Sequence, residues 1–275
     1  MNMRLPFSNL IDINNPNHSI MNTKTTLLTI AVIALSFAAQ ATTYNGNGNT
    51  SFGGPIGNGS LTLTDNGTTV FGSLVVAGGG LGGNAFVLYI QAGASPAGFS
   101  TTSGFNDSGD QLRSAISQYT ATGNGGGVGQ STLNFASGFT PNYAIAMQPG
   151  TGISFGGLWQ LTTGGGANSL PFVTSVGLSP TGSDAAGTYT FSFNLASVGL
   201  TAGQSFGLFG LEVSTSGYSS AEAIGSNLTG ANGWGGTQTQ STSSTYTTTP
   251  VPEPSTLAMA GLSGLATLLA IRRRK

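Results

Sequence analysis

Between residues 42 and 236 the chain alternates short apolar or β-branched runs with clusters of Gly, Asn, Pro and Ser. That rhythm predicts an all-β domain, an antiparallel β-sandwich-like fold, with sandwich and barrel topologies both open. Leu61 to Thr64 and Thr69 to Phe71 flank Asp65-Asn66-Gly67, a hairpin signal in which Asn and Gly accept the positive φ of a type I′ turn. Ala85 to Gln91, Tyr143 to Met147, Leu158 to Thr162 and Phe172 to Val176 read as buried or half-buried strands. The clearest strand is late: Tyr189, Phe191, Phe193 and Leu195 alternate with Thr190, Ser192 and Asn194, which gives one apolar face at period two. Ala202-Gly203 then turns the chain into a strand from Phe206 to Val213.

One segment carries the helical period instead. Leu112, Ala115, Ile116 and Tyr119 recur at i, i+3, i+4 and i+7 behind Ser108-Gly109-Asp110-Gln111, which has the form of a capping box. From residue 237 to 249 ten of thirteen residues are Ser or Thr without apolar periodicity, which predicts a solvated linker over 237–250, open to O-glycosylation. No repeat of fixed period is present, so an array of stacked repeats is not expected.

The two ends have patterns of their own. From Met21 a short basic region with Lys24 leads into an apolar run, Leu27 to Phe37, and then Ala39-Gln40-Ala41. The run is too short to span a bilayer, and the small residues Ala39 and Ala41 fit an A-x-A site, so residues 21–41 read as a signal peptide cleaved after Ala41. Residues 1–20 resemble no targeting element and read as a misassigned leader ahead of a start at Met21. At the far end Pro252-Glu253-Pro254 precedes an apolar run from Thr256 to Ile271 and the basic tail Arg272, Arg273, Arg274 and Lys275. As a helix the stretch from Ser255 to Ile271 covers about 25 Å, just enough to enter a hydrocarbon core of about 30 Å as a short transmembrane helix. The cations place the terminus in the cytoplasm and residues 42–252 outside.

Composition sharpens this picture. Cysteine is absent from the 275 residues, which excludes disulfides, thiolate metal sites and Cys nucleophiles. The single histidine, His18, lies in the leader. Between Thr42 and Pro252 only Arg113 faces Asp65, Asp107, Asp110, Asp184, Glu212 and Glu222, a net charge of −5. A nucleic-acid surface needs clustered cations, so nucleic acid is not an expected partner. Fifteen Phe and seven Tyr nonetheless supply the material of a packed core.

The tripeptide Pro252-Glu253-Pro254, the short apolar helix and the terminal basic cluster together resemble the PEP-CTERM sorting signal of Gram-negative bacteria, a domain also catalogued as an ice-binding protein C-terminal domain. The resemblance covers residues 251–275 and implies an exported substrate of exosortase, a membrane transpeptidase-like protease. It also implies a membrane-anchored precursor, delivery to the cell surface or extracellular matrix, and association with exopolysaccharide or biofilm. Independently of the family, the two prolines hold Glu253 in an extended segment of the kind a protease cleft accepts. The passages Asp110 to Ile116, Ser131 to Ala136 with Tyr143 to Ala146, and Phe155 to Trp159 loosely resemble ectodomains found with this signal, which implies no activity.

Candidate chemistry in the ectodomain is sparse. Asn106, Asp107, Ser108 and Asp110 cluster hard oxygen atoms but lack the spacing of a calcium loop, and helix capping explains them better. The Gly-rich stretches at 123–129 and 164–166 lack the Lys-Ser/Thr ending of a phosphate loop. Trp159 sits in an apolar run and reads as core, whereas Trp234, among Asn and Gly, is the candidate ligand platform. No cofactor, metal site or catalytic residue is assigned. The expected role is structural or interactive, and the alternatives are a secreted carbohydrate-binding module or a glycosidase using two of the six acids.

Overall fold

The computed structural model describes residues 40–120, 130–164 and 166–251, with Gly261, Ser263, Gly264, Ile271 and Arg272 of the C-terminal segment. The first sheet contains β1 (Thr42–Asn45), β2 (Ser60–Asp65), β3 (Thr69–Val75) and β9 (Thr188–Asn194), antiparallel in that order. The alternation expected for β9 holds: Tyr189, Phe191 and Phe193 are buried while Thr188, Thr190 and Asn194 are exposed. Phe191 stands opposite Gly72 of β3, and a Cβ there would sit 2.2 Å from its ring carbon Cζ. Glycine is therefore what lets this aromatic ring lie flat across the neighbouring strand.

The hairpin between β2 and β3 forms with a different turn from the one expected. Gly67 has φ +82°, whereas Asn66 is not at positive φ and uses its Oδ1 to accept from the backbone of Thr68 and Thr69. A type I′ turn needs positive φ at both central residues. Here the Asn66 N–H bonds to the Thr69 carbonyl at 3.2 Å, so Gly67 and Thr68 are the central pair.

The second sheet runs β11 (Ser219–Ile224), β10 (Ser205–Val213), β4 (Ala85–Gln91), β6 (Tyr143–Gln148), β7 (Phe155–Gln160) and β8 (Phe172–Ser175). A further strand, β14 (Ser244–Thr247), lies against the first half of β10, and β11 against its second half. Residues 85–90 of β4 are all buried, as a continuous apolar run in a strand covered on both faces must be. Phe86, Leu88 and Ile90 join Leu61, Leu63, Leu74, Tyr189, Phe191 and Phe193 in a core shared by the two sheets. Ala85, Val87 and Tyr89 point the other way, into a second core with Phe105, Leu112, Ile116, Phe135 and Trp159.

That second face is covered by α1 (Gln111–Ser117), by loops and by a small mixed sheet of β12 (Leu228–Gly230), β13 (Thr237–Gln240) and β5 (Thr132–Asn134), in which β13 and β5 run parallel. The protein is thus mostly β-sheet, with α1 the one α-helix in the described part of residues 40–251. The α1 cap is Asp110 rather than the expected Ser108: its Oδ1 accepts from the N–H groups of Leu112 and Arg113 at 2.9 and 2.8 Å.

The Ser/Thr-rich stretch corrects a second expectation. It forms β13 and β14 instead of a solvated linker, and the folded unit runs to Val251 rather than ending at residue 236. Gln238, Gln240 and Tyr246 alternate inward between exposed threonines, so period two is present but written in polar residues. Among the described residues no helix is long and apolar enough to cross a membrane. The signal segment, Ala39, Pro252, Glu253 and Pro254, and most of the apolar C-terminal run lie outside them, as do Arg273, Arg274 and Lys275.

Candidate functional site

The two points where the folded unit joins its terminal segments meet at one end. Asp65, buried at the end of β2, accepts from the Gly67 N–H (2.8 Å), the Thr249 N–H (3.0 Å) and the Tyr246 hydroxyl (2.7 Å). Burial, then the Asp65 carboxylate, pushes the Tyr246 phenol well above its ordinary range. The same hydroxyl lies 3.1 Å from the Gln40 carbonyl, and Thr42 pairs with Leu63. The exposed Ala41 and the exit at Val251 are thereby held at the same edge of the fold, and Arg272, in helical conformation and exposed, follows in the C-terminal segment.

The opposite end carries Trp234. From Ser205, beside Thr247, β10 runs its nine residues to Val213, a rise of about 27 Å. Beyond it a cleft of about 400 Å³ is lined by Phe52, Asn84, Ser214, Ser216, Tyr218 and Trp234. Trp234 is half-buried, its Nε1 donates to the Ser216 carbonyl at 3.3 Å, and it meets Tyr218 edge-on at 81°. The rings are not coplanar, so Trp234 forms one wall of a cleft rather than a flat platform.

The six acids are all engaged. Asp107 accepts from Gly109, Asn168 and Leu170 N–H groups and sits 3.5 Å from Arg113 Nε; Asp110 caps α1 and pairs with Arg113 Nη1; Asp184 accepts from Gln148. Glu222 Oε1 accepts from Phe52 and Gly54, and its Oε2 from Ile56 and Gly57, so one buried carboxylate organises a whole loop. Glu212 lies beside it, because Leu211 pairs with Ala223 just before the β10–β11 register shifts. Burial, then the Glu222 charge, pushes Glu212 up to about 9. Its Oε1 accepts from Asn84 while Oε2 has no partner among the described residues. Both side chains are fully buried, which gives no room for a sugar between them. Among the described residues no group of three or more His, Cys, Asp or Glu is placed to hold a metal.

A second aromatic cleft was not expected from the sequence. Trp159 is core, as expected, at 2% exposure, but Phe155 and Phe172 beside it are 38% and 48% exposed. Phe172 pairs across β7–β8 with Trp159, and the two exposed rings are 6.1 Å apart at 37°. With Ile153, Leu112 and the polar Asp110, Gln111 and Arg113 they line a cleft of about 640 Å³ between α1 and the sheet edge. Gly157 packs beneath two of these rings: a Cβ there would lie 2.7 Å from the Trp159 ring and 3.0 Å from Phe172. Aromatic residues in an apolar run were the available signal, but only strand pairing brings residues 155 and 172 together.

Comparison with known families bears on one part of the chain. Residues 250–275 match the family model of the PEP-CTERM protein-sorting motif. The motif implies export, processing by exosortase, and sorting to the cell surface or the membrane. No curated protein and no solved structure matches the chain.

Proposed function

We propose that this chain is an exported protein of the cell surface or extracellular matrix, with a structural or interaction role alongside exopolysaccharide. The sorting motif at residues 250–275 is the observation that carries the reading. In it, the signal peptide is removed after Ala41, the segment 255–271 anchors the precursor, and Arg272, Arg273, Arg274 and Lys275 stay in the cytoplasm. Exosortase then acts at Pro252-Glu253-Pro254. The reading includes no catalytic step, in keeping with acids that hold backbone amides and a helix cap.

The test is fractionation of cells producing the wild type or Glu253→Ala. Wild type in the surface or medium fraction with the variant retained in the cytoplasmic membrane supports the proposal. Equal retention of both in the membrane would reduce the segment to a simple anchor.

A further inference from the structure

We propose that the cleft between α1 and the β7–β8 edge binds a neutral saccharide, with Phe155 and Phe172 as stacking surfaces and Arg113, Asp110 and Gln111 as hydrogen-bonding groups. Three observations carry this. First, Phe155 and Phe172 are two of the five large apolar side chains exposed between residues 42 and 250 among those described. Contiguous exposed apolar surface rimmed by polar groups marks a binding site. Aromatic faces suit the C–H face of a pyranose ring.

Second, the polar rim has hydrogen-bonding capacity left over. Arg113 donates Nε to the Leu170 carbonyl and Nη1 to Asp110, while no described residue accepts from its Nη2. Its guanidinium stands 5.8 Å from the centre of the Trp159 ring, which fixes it at the cleft wall. Trp159, also a wall residue, keeps a buried Nε1–H with no partner among the described residues. The exposed Gln111 amide adds a donor and an acceptor. Fork-like guanidinium, carboxylate and amide groups match pairs of neighbouring hydroxyls.

Third, charge selects the ligand. Arg113 is met by both Asp107 and Asp110, so the local balance is −1 and a uronate or sulfated sugar would face a repulsive wall. A volume of about 640 Å³ lies within the ~300–1,000 Å³ of small-ligand clefts. The walls are ordered by contacts: α1 is capped by Asp110, and the Trp159 and Phe172 rings lie against Gly157.

This deepens the matrix role proposed above and rests on it for its setting, but its test is independent of sorting. The full chain, in a non-glycosidic detergent, is titrated calorimetrically with cellohexaose, mannohexaose and hexagalacturonate. The expected result is binding of at least one neutral hexasaccharide, at least tenfold weaker binding of hexagalacturonate, and at least tenfold loss in Phe155→Ala/Phe172→Ala. Both substituted rings lie at the surface, and circular dichroism checks that the double variant keeps the fold. Trp234→Ala is expected to bind as wild type. Absence of binding to either neutral probe, preference for the uronate, or loss in Trp234→Ala with retention in the Phe double variant would each overturn the proposal. A change of oligomeric state in the Phe double variant without saccharide binding to the wild type would make the cleft a protein contact and overturn it too. A sorting defect in Glu253→Ala leaves these titrations unaltered, so failure of one reading is distinguishable from failure of the other.

Discussion

Thr249 donates its backbone N–H to the buried carboxylate of Asp65 at 3.0 Å, tying the last residues of the folded unit to the turn between its second and third strands. Asp65 also holds Gly67 and Tyr246. Removing it strands several buried donors at once, each costing about 1–3 kcal/mol. Asp65→Ala is therefore expected to lower unfolding stability by about 3 kcal/mol or more, and Tyr246→Phe by about 1 kcal/mol. Denaturant titration checks both.

Much of this architecture is legible in the sequence where the period-two pattern is written in large apolar residues. β9 is visible from Tyr189, Phe191 and Phe193, and β4 from its unbroken run. β13 and β14 are not, because Gln238, Gln240 and Tyr246 carry the inward positions among ten Ser and Thr residues. The Glu212–Glu222 pair and the Phe155–Phe172 cleft depend on strand register, which composition and local period do not encode.

Glu212 predicts an unusual pH dependence. Its carboxyl is pushed from 4.5 up to about 9 by burial first and by Glu222 second, so the native state keeps a proton that the unfolded chain has lost. Stability falls with pH wherever the native state binds more protons. The contribution of this group is therefore complete below about pH 4.5 and is lost as pH rises through about 9. Glu212→Gln, which keeps the shape without the titration, is expected to unfold at higher temperature than wild type at pH 8–9 and to match it near pH 4.5. A wild-type melting temperature with the same pH slope as the variant would contradict this.

Gly72 and Phe191 form a steric pair. Gly72→Ala places a methyl carbon 2.2 Å from the Phe191 ring and is expected to cost about 1–3 kcal/mol. Phe191→Leu removes the clash, so the double variant is expected to lose less than the sum of the single changes. A double-mutant cycle by chemical denaturation gives the coupling, and strict additivity would mean that the strands adjust independently.

Signal cleavage after Ala41, as proposed, would leave β1, which starts at Thr42, whole. N-terminal sequencing of the exported protein is expected to read Thr-Thr-Tyr-Asn. Substitution of Ala39 and Ala41 by bulky residues is expected to leave the precursor uncleaved, visible as a larger band on gels.

The most direct test of the account is the intact mass of the native protein from the surface or culture medium. The expected chain begins at Thr42 and has lost the apolar segment 255–271 with its basic tail. A mass retaining residues 255–275, found in the cytoplasmic membrane fraction, would contradict it.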